Sequence, residues 1–266
     1  MKRSEMKNLF LILSFFLVFS CSRDEEKVNE CKLSTVNVST LAYDDINISS
    51  TYNPNFSEKI RLSYDSQNRI SKILGSFIPV MVGSLGSYTI SDDAYDEITY
   101  SGNSVYVKIS ANQMIRPYDK EFVILNNKIA SQKIIIGTNN LVYNYEYSGN
   151  QIVEKINNKL IRTFSIENGN LTKIEKWNYN DSNQIIGKIE TIFSDFDNSE
   201  NLLKNKFFIN GAFIKAFSKN NFRNFETKGY VLQNGSYVSD GSYYTKTLAM
   251  TYNSENIANV FEKKCN

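Results

Sequence analysis

The sequence predicts an all-β fold: an antiparallel meander of many strands forming a large curved sheet or a partly open barrel. Three observations predict it. A short phrase of strand, tight turn and strand recurs along the chain. Apolar residues alternate around each turn, and no 3.6-residue period persists between copies. The composition holds 17 Tyr and 17 Phe but only 3 Pro, and aromatic side chains suit a half-buried pleated surface.

Residues 1–20 read as a lipoprotein signal peptide, 21–32 as a lipidated acidic tether and 33–266 as a single β-meander domain. Lys2, Arg3 and Lys7 precede an apolar run from Leu9 to Phe19 that only Ser14 interrupts. A basic start with a short apolar core is the pattern of a secretory signal. The run falls well short of the roughly 20 residues that a membrane-spanning helix needs. It ends Val18-Phe19-Ser20-Cys21, which resembles a bacterial lipobox, with Phe19 in place of the usual small or aliphatic residue. The resemblance implies a thioether-linked diacylglycerol on Cys21 and an acylated (palmitate-type) amine. Several acyl chains at about 0.8 kcal/mol per buried methylene hold a protein on a membrane. Ordinary secretion, with Cys21 incidental, is the alternative.

Ser22, Arg23, Asp24, Glu25 and Glu26 follow the cysteine. An acidic cluster there resembles the surface-export signal of Bacteroidota lipoproteins, which implies the outer leaflet of the outer membrane. A merely solvated tether is the alternative. Of the 3 cysteines, Cys31 and Cys265 remain. An even remainder in an oxidising compartment predicts a disulfide joining the start of the domain to its end, with two free thiols as the alternative.

The repeating phrase begins at Tyr64-Asp65-Ser66-Gln67-Asn68, running into Ile70-Ser71-Lys72-Ile73. Tyr100-Ser101-Gly102-Asn103 runs into Tyr106-Val107-Lys108-Ile109, and Tyr147-Ser148-Gly149-Asn150 into Val153-Glu154-Lys155-Ile156. Glu167-Asn168-Gly169-Asn170 leads to Leu171-Thr172-Lys173-Ile174, and Tyr179-Asn180-Asp181-Ser182-Asn183 to Ile186-Gly187-Lys188-Ile189. Gly and Asn supply the positive φ angles of tight hairpins. Tyr143, Tyr145 and Tyr147 fall on one face, as do Val105, Val107 and Ile109. The Lys-Ile pair sets a charge outward and an aliphatic group inward. Outward lysines also discourage edge pairing.

The phrase resembles the tyrosine–aspartate repeats of β-meander proteins. Most of all it resembles an uncharacterised family of Bacteroidota lipoproteins with a porin-like fold. The likeness runs from about Ile60 to Tyr252 and includes the stretch from Ile166 to Leu203 followed by Ser218-Lys219-Asn220-Asn221. It departs at Asn68 and Asn183, which stand where that family has a turn glycine; Asn tolerates the same geometry. The resemblance implies a fold and an envelope location, and no activity. Tyr230 to Val238 reads as a hairpin about Asn234-Gly235, and Leu248, Met250 and Tyr252 as a closing strand. A short helix is expected somewhere between Ser199 and Phe217.

The chemistry is defined mostly by what is missing. There are 0 histidines, which excludes a Ser–His–Asp triad and removes the commonest zinc ligand. Neither a P-loop nor a dinucleotide fingerprint is present. No cofactor and no metal is expected. Of 30 basic and 28 acidic residues, Lys2, Arg3, Lys7 and Glu5 lie before Cys21, so the chain beyond it is formally neutral. Nucleic-acid binding needs surplus positive charge and is not expected. Asp92-Asp93 with Asp96-Glu97, and Asp195, Asp197, Asn198 and Glu200, are read as polar turns, with calcium as the alternative. The apolar run Phe77-Ile78-Pro79-Val80-Met81-Val82 is read as a strand with an edge proline, or else as a segment touching a membrane, ligand or partner. Strand-spaced tyrosines are read as structural, with sugar stacking as the alternative.

The expected function is an outer-membrane, cell-surface lipoprotein, lipid-anchored and facing the exterior. It would be a non-enzymatic binding or structural component of the envelope, its partner a glycan, a protein or an apolar ligand. The alternatives are a periplasm-facing carrier of an apolar ligand or lipid, and a carboxylate-based hydrolase. An exposed aromatic platform would favour the first.

Overall fold

The computed structural model describes residues 32–38, 41, 59–82, 85–110, 118–247 and 261–264. Cys21, Ser22 to Glu26, Cys31, Cys265 and the proposed strand at Leu248 to Tyr252 lie outside the described residues. Residues 33–263 form one compact unit, and 1–32 with 264–266 form another. The account that follows concerns the first.

The strands, in order, are β1 Lys32–Asn37, β2 Lys59–Tyr64, β3 Ile70–Val82, β4 Leu85–Ser101 and β5 Ser104–Ile109. Then come β6 Asp119–Leu125, β7 Lys128–Ile136, β8 Asn139–Ser148, β9 Gln151–Ile156 and β10 Lys159–Glu167. The last are β11 Asn170–Tyr179, β12 Ile185–Phe196, β13 Phe222–Gln233, β14 Ser236–Thr247 and β15 Phe261–Lys264. From β1 to β14 each strand pairs with the next, and β15 lies beyond β1. The result is a 15-stranded meander whose edges are β14 and β15, not closed into a barrel.

The turns follow the side chains that seed them. At Asn126-Asn127, Asn157-Asn158, Asn168-Gly169 and Asn234-Gly235 both central residues have positive φ, the requirement of the two-residue hairpin whose twist matches its strands. The turns after Tyr64 and Tyr179 are longer. Asp65 Oδ1 accepts from the backbone N–H groups of Gln67 and Arg69, both at 2.9 Å, and Asn180 Oδ1 accepts from Gln184 N–H at 2.9 Å. Asn68 and Asn183 take the left-handed position, at φ 61° and 60°.

The recurring tyrosine has one repeated job. Each stands at or next to the end of a strand, and its hydroxyl donates to a carbonyl at the start of the strand before it. Tyr64 donates to Leu33 O (2.7 Å), Tyr100 to Ile70 O (2.8 Å), Tyr147 to Ile129 O (3.0 Å) and Tyr179 to Leu160 O (2.6 Å). The residue before the acceptor lays a cation on the same ring. Arg69 sits 4.4 Å from the Tyr100 centroid, Lys128 5.0 Å from Tyr147 and Lys159 3.9 Å from Tyr179. The basic–aliphatic pair at each strand start is thus the partner of the next Tyr, and together they set the register of successive hairpins. Burial pushes the Tyr100 and Tyr147 phenols up to about 12. Tyr100→Phe and Tyr147→Phe are each expected to lower stability by about 1 kcal/mol. Their effects should add, because the sites are on well-separated strands; urea midpoints of the two single variants and the double variant check this.

β3 and β4 outreach their neighbours. β2 pairs with β3 only as far as Leu74, and β5 pairs with β4 only from Asp96 onward. Beyond them, Ser76–Val82 and Leu85–Ser91 pair with each other as a two-stranded ribbon, and among the described residues with no other strand. Pro79 lies inside β3, opposite Tyr88. A proline is tolerated on the outer edge of such a ribbon, where no further described strand needs its N–H. The ribbon begins at a bulge, where Gly75 adopts φ +96°.

One face of the sheet is the core. Ile60, Ile73, Ile98, Val107, Phe122, Ile129, Ile152, Phe164, Ile174 and Phe193 are buried. Over them lies the segment between β12 and β13, residues 197–221. The short helix expected between Ser199 and Phe217 amounts to one 3-10 turn, Lys215–Phe217, at the end of a succession of turns. Its aromatics reach many strands, with ring centroids of Phe208 and Tyr100 6.2 Å apart, Phe213 and Tyr145 6.1 Å, and Phe217 and Phe164 4.8 Å. A regular helix lying on the sheet would turn one face to solvent, whereas residues 211–218 are buried in succession. Asn201 holds it in shape, donating to Lys215 O (2.7 Å) and Ser218 O (2.9 Å). Ser218-Lys219-Asn220-Asn221 docks on the β10–β11 turn, with Lys219 N–H donating to Gly169 O at 2.8 Å and Asn220 N–H to Asn170 Oδ1 at 2.8 Å.

Candidate functional site

The face opposite the core carries exposed apolar side chains such as Tyr106 and Val142, and gathers several of them on β11–β14. Strand alternation places Trp177 on the outer side of β11, and the register sets it beside Lys188 of β12, which in turn lies beside Tyr230 of β13. Leu232 follows Tyr230 on the same face and pairs with Tyr237 of β14. The Asn234-Gly235 turn fixes that last pairing, since both of its residues need positive φ. The Trp177 and Tyr237 rings meet across the intervening strands, their centroids 5.9 Å apart. Tyr237 is 38% exposed, Leu232 37% and Ile186 47%, so the strip opens to solvent.

Lys188 sits among the rings, its ammonium 5.2 Å from the Tyr237 centroid, 5.5 Å from Tyr230 and 5.8 Å from Trp177. It also closes a four-charge ladder. Its Nζ lies 2.5 Å from Glu175 and 3.5 Å from Glu190, and Lys173 lies 3.6 Å and 3.8 Å from the same two carboxylates. Partial burial works against the charged lysine, but Glu175 and then Glu190 outweigh it, and its pKa is raised. Trp177 Nε1–H reaches Thr163 Oγ1 at 3.4 Å, which orients the indole. Further along, Lys228 pairs with Glu226, and Tyr243 donates to Glu226 at 3.3 Å. The strip therefore has an aromatic–aliphatic half beside a charge-balanced half.

The sequence reading treated the outward lysine of the repeat and the strand-spaced tyrosines as structural, with sugar stacking as the alternative for the tyrosines. Tyr230 entered it only as the start of a hairpin, and Glu175, Glu190 and Tyr237 were given no role of their own. A signal was there: the Asn234-Gly235 hairpin fixes which residues oppose each other, which places Tyr230 and Tyr237 on one face. The juxtaposition with Trp177 had no local signature, because two strands separate them.

The first acidic cluster is not a polar turn but part of a strand, and the second begins in β12 and continues into the turn that follows. Asp92, Asp93, Asp96 and Glu97 lie inside β4, and Asp92 pairs with Arg61. Asp197 accepts from Asn221 N–H (3.0 Å) and the Ser199 hydroxyl (2.6 Å), tying the two ends of the 197–221 segment together. Asp195 pairs with Arg223. Among the described residues, no group of three or more His, Cys, Asp and Glu side chains could hold a metal.

No family model matches the chain, and no curated protein matches it. The solved structures that it is similar to include two porin-like proteins. One is a porin-like protein from Bacteroides uniformis ATCC 8492, with TM-score 0.39 and 11% identity over 71% of this chain and 87% of that one. The other is a porin-like protein from Bacteroides vulgatus ATCC 8482, with TM-score 0.41 and 10% identity over 88% of this chain and 96% of that one. Likeness at this level carries neither activity nor location to this protein.

Proposed function

We propose that this protein is an exported lipoprotein, anchored through Cys21 in the outer membrane and facing the cell exterior. It acts there as a non-enzymatic binding component of the envelope. The observation that carries the binding role is the solvent-open strip of Trp177, Tyr230, Leu232 and Tyr237 beside a balanced charge ladder. Large rings and aliphatic groups gathered together on an exposed sheet face mark an interaction surface. The core face offers less, because Phe207, Phe213 and Phe217 of the chain itself pack against it. The anchor rests on Lys2 to Cys21, and the outward orientation on Asp24 to Glu26. A Cys31–Cys265 disulfide belongs to the same proposal. It is supported by the chain order: β1 begins one residue after Cys31, β15 ends one residue before Cys265, and the two strands are neighbours.

Protease treatment of intact cells tests the location. The protein should be digested while a periplasmic control survives, and Cys21→Ala should abolish incorporation of labelled palmitate. Protection in intact cells with digestion after lysis would overturn the outward orientation. Unchanged labelling of Cys21→Ala would overturn the anchor.

A further inference from the structure

The strip's chemistry narrows what it binds. We infer that the outer face of β11–β14 binds a neutral, pyranose-based polysaccharide, an inference that rests on the binding role proposed above. A pyranose ring presents two kinds of surface, an apolar face of C–H groups and a rim of hydroxyls. The strip presents their complements side by side. Trp177, Tyr230 and Tyr237 offer ring surface for the C–H face. Glu175, Glu190, Lys173 and Lys188 offer carboxylate acceptors and ammonium donors for the hydroxyls. Those four charges sum to zero, which favours a neutral ligand over a polyanion.

The geometry suits a chain better than a single sugar. Across the strands the Trp177 and Tyr237 rings close to 5.9 Å, whereas from Lys173 to Trp177 along β11 the site covers about 13 Å at the usual rise per residue. That is room for a short run of sugar rings laid along the strands. The site is also held in place before binding. Trp177 is tied to Thr163, and Lys188 is fixed by two carboxylates among three rings. Rings that are already ordered lose little entropy when a ligand stacks on them. A buried apolar ligand would find four charges in its path, each costly to strip of water unless it stays paired.

Trp177 is the only tryptophan, so its fluorescence reports on this surface alone. The test titrates the folded protein from Cys21 onward with soluble xylan, mannan, β-glucan and dextran, reading Trp177 emission and retardation in polysaccharide-containing native gels. At least one polymer is expected to shift the emission and retard the protein, with little change between low and high salt. Tyr237→Ala should weaken retardation about tenfold or more, the usual cost of losing an anchoring aromatic. Trp177→Phe, which keeps a ring, should weaken it less than Trp177→Ala. Circular dichroism confirms that each variant is folded.

Binding unaffected by Trp177→Ala and Tyr237→Ala would overturn the inference, as would the absence of any emission shift or retardation with all four polymers. The proposed binding role fails separately. If the strip takes a protein instead, Tyr237→Ala will abolish a cross-link to a neighbouring surface protein while no polysaccharide shifts Trp177. That result would sink the glycan and keep the binding surface.

Discussion

Arg162→Ala is expected to destabilise the domain by about 3–5 kcal/mol. Glu154 of β9 is completely buried, and Arg162 of β10 is its cross-strand partner. The guanidinium grips it with both ends of the fork, Nε to Oε1 at 2.8 Å and Nη2 to Oε2 at 2.6 Å. Tyr145 adds a third donor to Oε2 at 2.9 Å. Phe164 and Phe213 lie near the guanidinium, with centroids 5.2 Å and 5.6 Å away, and Phe213 belongs to the segment that closes over the core. Removing the arginine leaves a carboxylate in a nearly dry site with one hydroxyl to satisfy it. The double variant Glu154→Leu/Arg162→Met should recover most of the loss, since taking away both charges leaves nothing to solvate. Urea denaturation with an unchanged m-value reads both. A cost below about 1 kcal/mol for the single variant would mean that the site admits water.

The second large effect is a pH dependence. Lys215 is wholly buried in the 197–221 segment, and burial drives its pKa down to about 7, against the opposing pull of Asp197. Its ammonium lies 4.3 Å from the Phe222 centroid and 3.4 Å from Phe222 O. The unfolded chain keeps this proton up to about pH 10.5, so between 7 and 10.5 the unfolded state binds more protons than the folded one. Stability must therefore rise with pH across that window. Below pH 7 both states carry the proton, and the full penalty, about 5 kcal/mol at 1.36 kcal/mol per unit, is present and constant. From pH 7 to 9.5 the gain should be about 3 kcal/mol. Lys206, also lowered by burial, acts in the same direction. Above pH 10 the tyrosines oppose it: Tyr100 and Tyr147 keep their protons to about 12 when folded, so unfolding is then favoured by their ionisation. Lys215→Met, similar in size and uncharged, should be more stable at pH 6 and lose most of the rise between 7 and 9.5. A flat profile for the unsubstituted protein in that range would contradict a dry Lys215.

Strands and turns were legible because their causes are local. The period-two alternation of Val105, Val107 and Ile109 requires only that one face be buried, and the structure buries Val105 and Val107. Asn68 and Asn183 take positive φ because their short amides tolerate it wherever they occur. Even the tyrosine of the repeat was visible as a pattern, though its hydroxyl's target lay 18 to 31 residues away. Two kinds of feature were not legible. The stretch from Ser199 to Phe217 was read as holding a short helix, yet local sequence does not distinguish a helix from a run of turns whose residues 211–218 are buried in succession. The outer strip depends on residues of four strands, and its central contact, Trp177 with Tyr237, spans 60 positions of chain.

What the sequence determined by itself is the meander: hairpin after hairpin, most registers set by tight turns and the lysines of the repeat set outward by alternation. These are short-range effects, and short-range effects survive being read one window at a time. The tertiary structure alone decided how the sheet is used. It placed the apolar 197–221 segment across the core face, where burial outweighed any local preference for helix. It buried Lys215 and Glu154, whose charges local sequence would leave in water. It brought Trp177, Lys188, Tyr230 and Tyr237 together on the other face, because strand order and register, not sequence distance, determine which side chains share solvent.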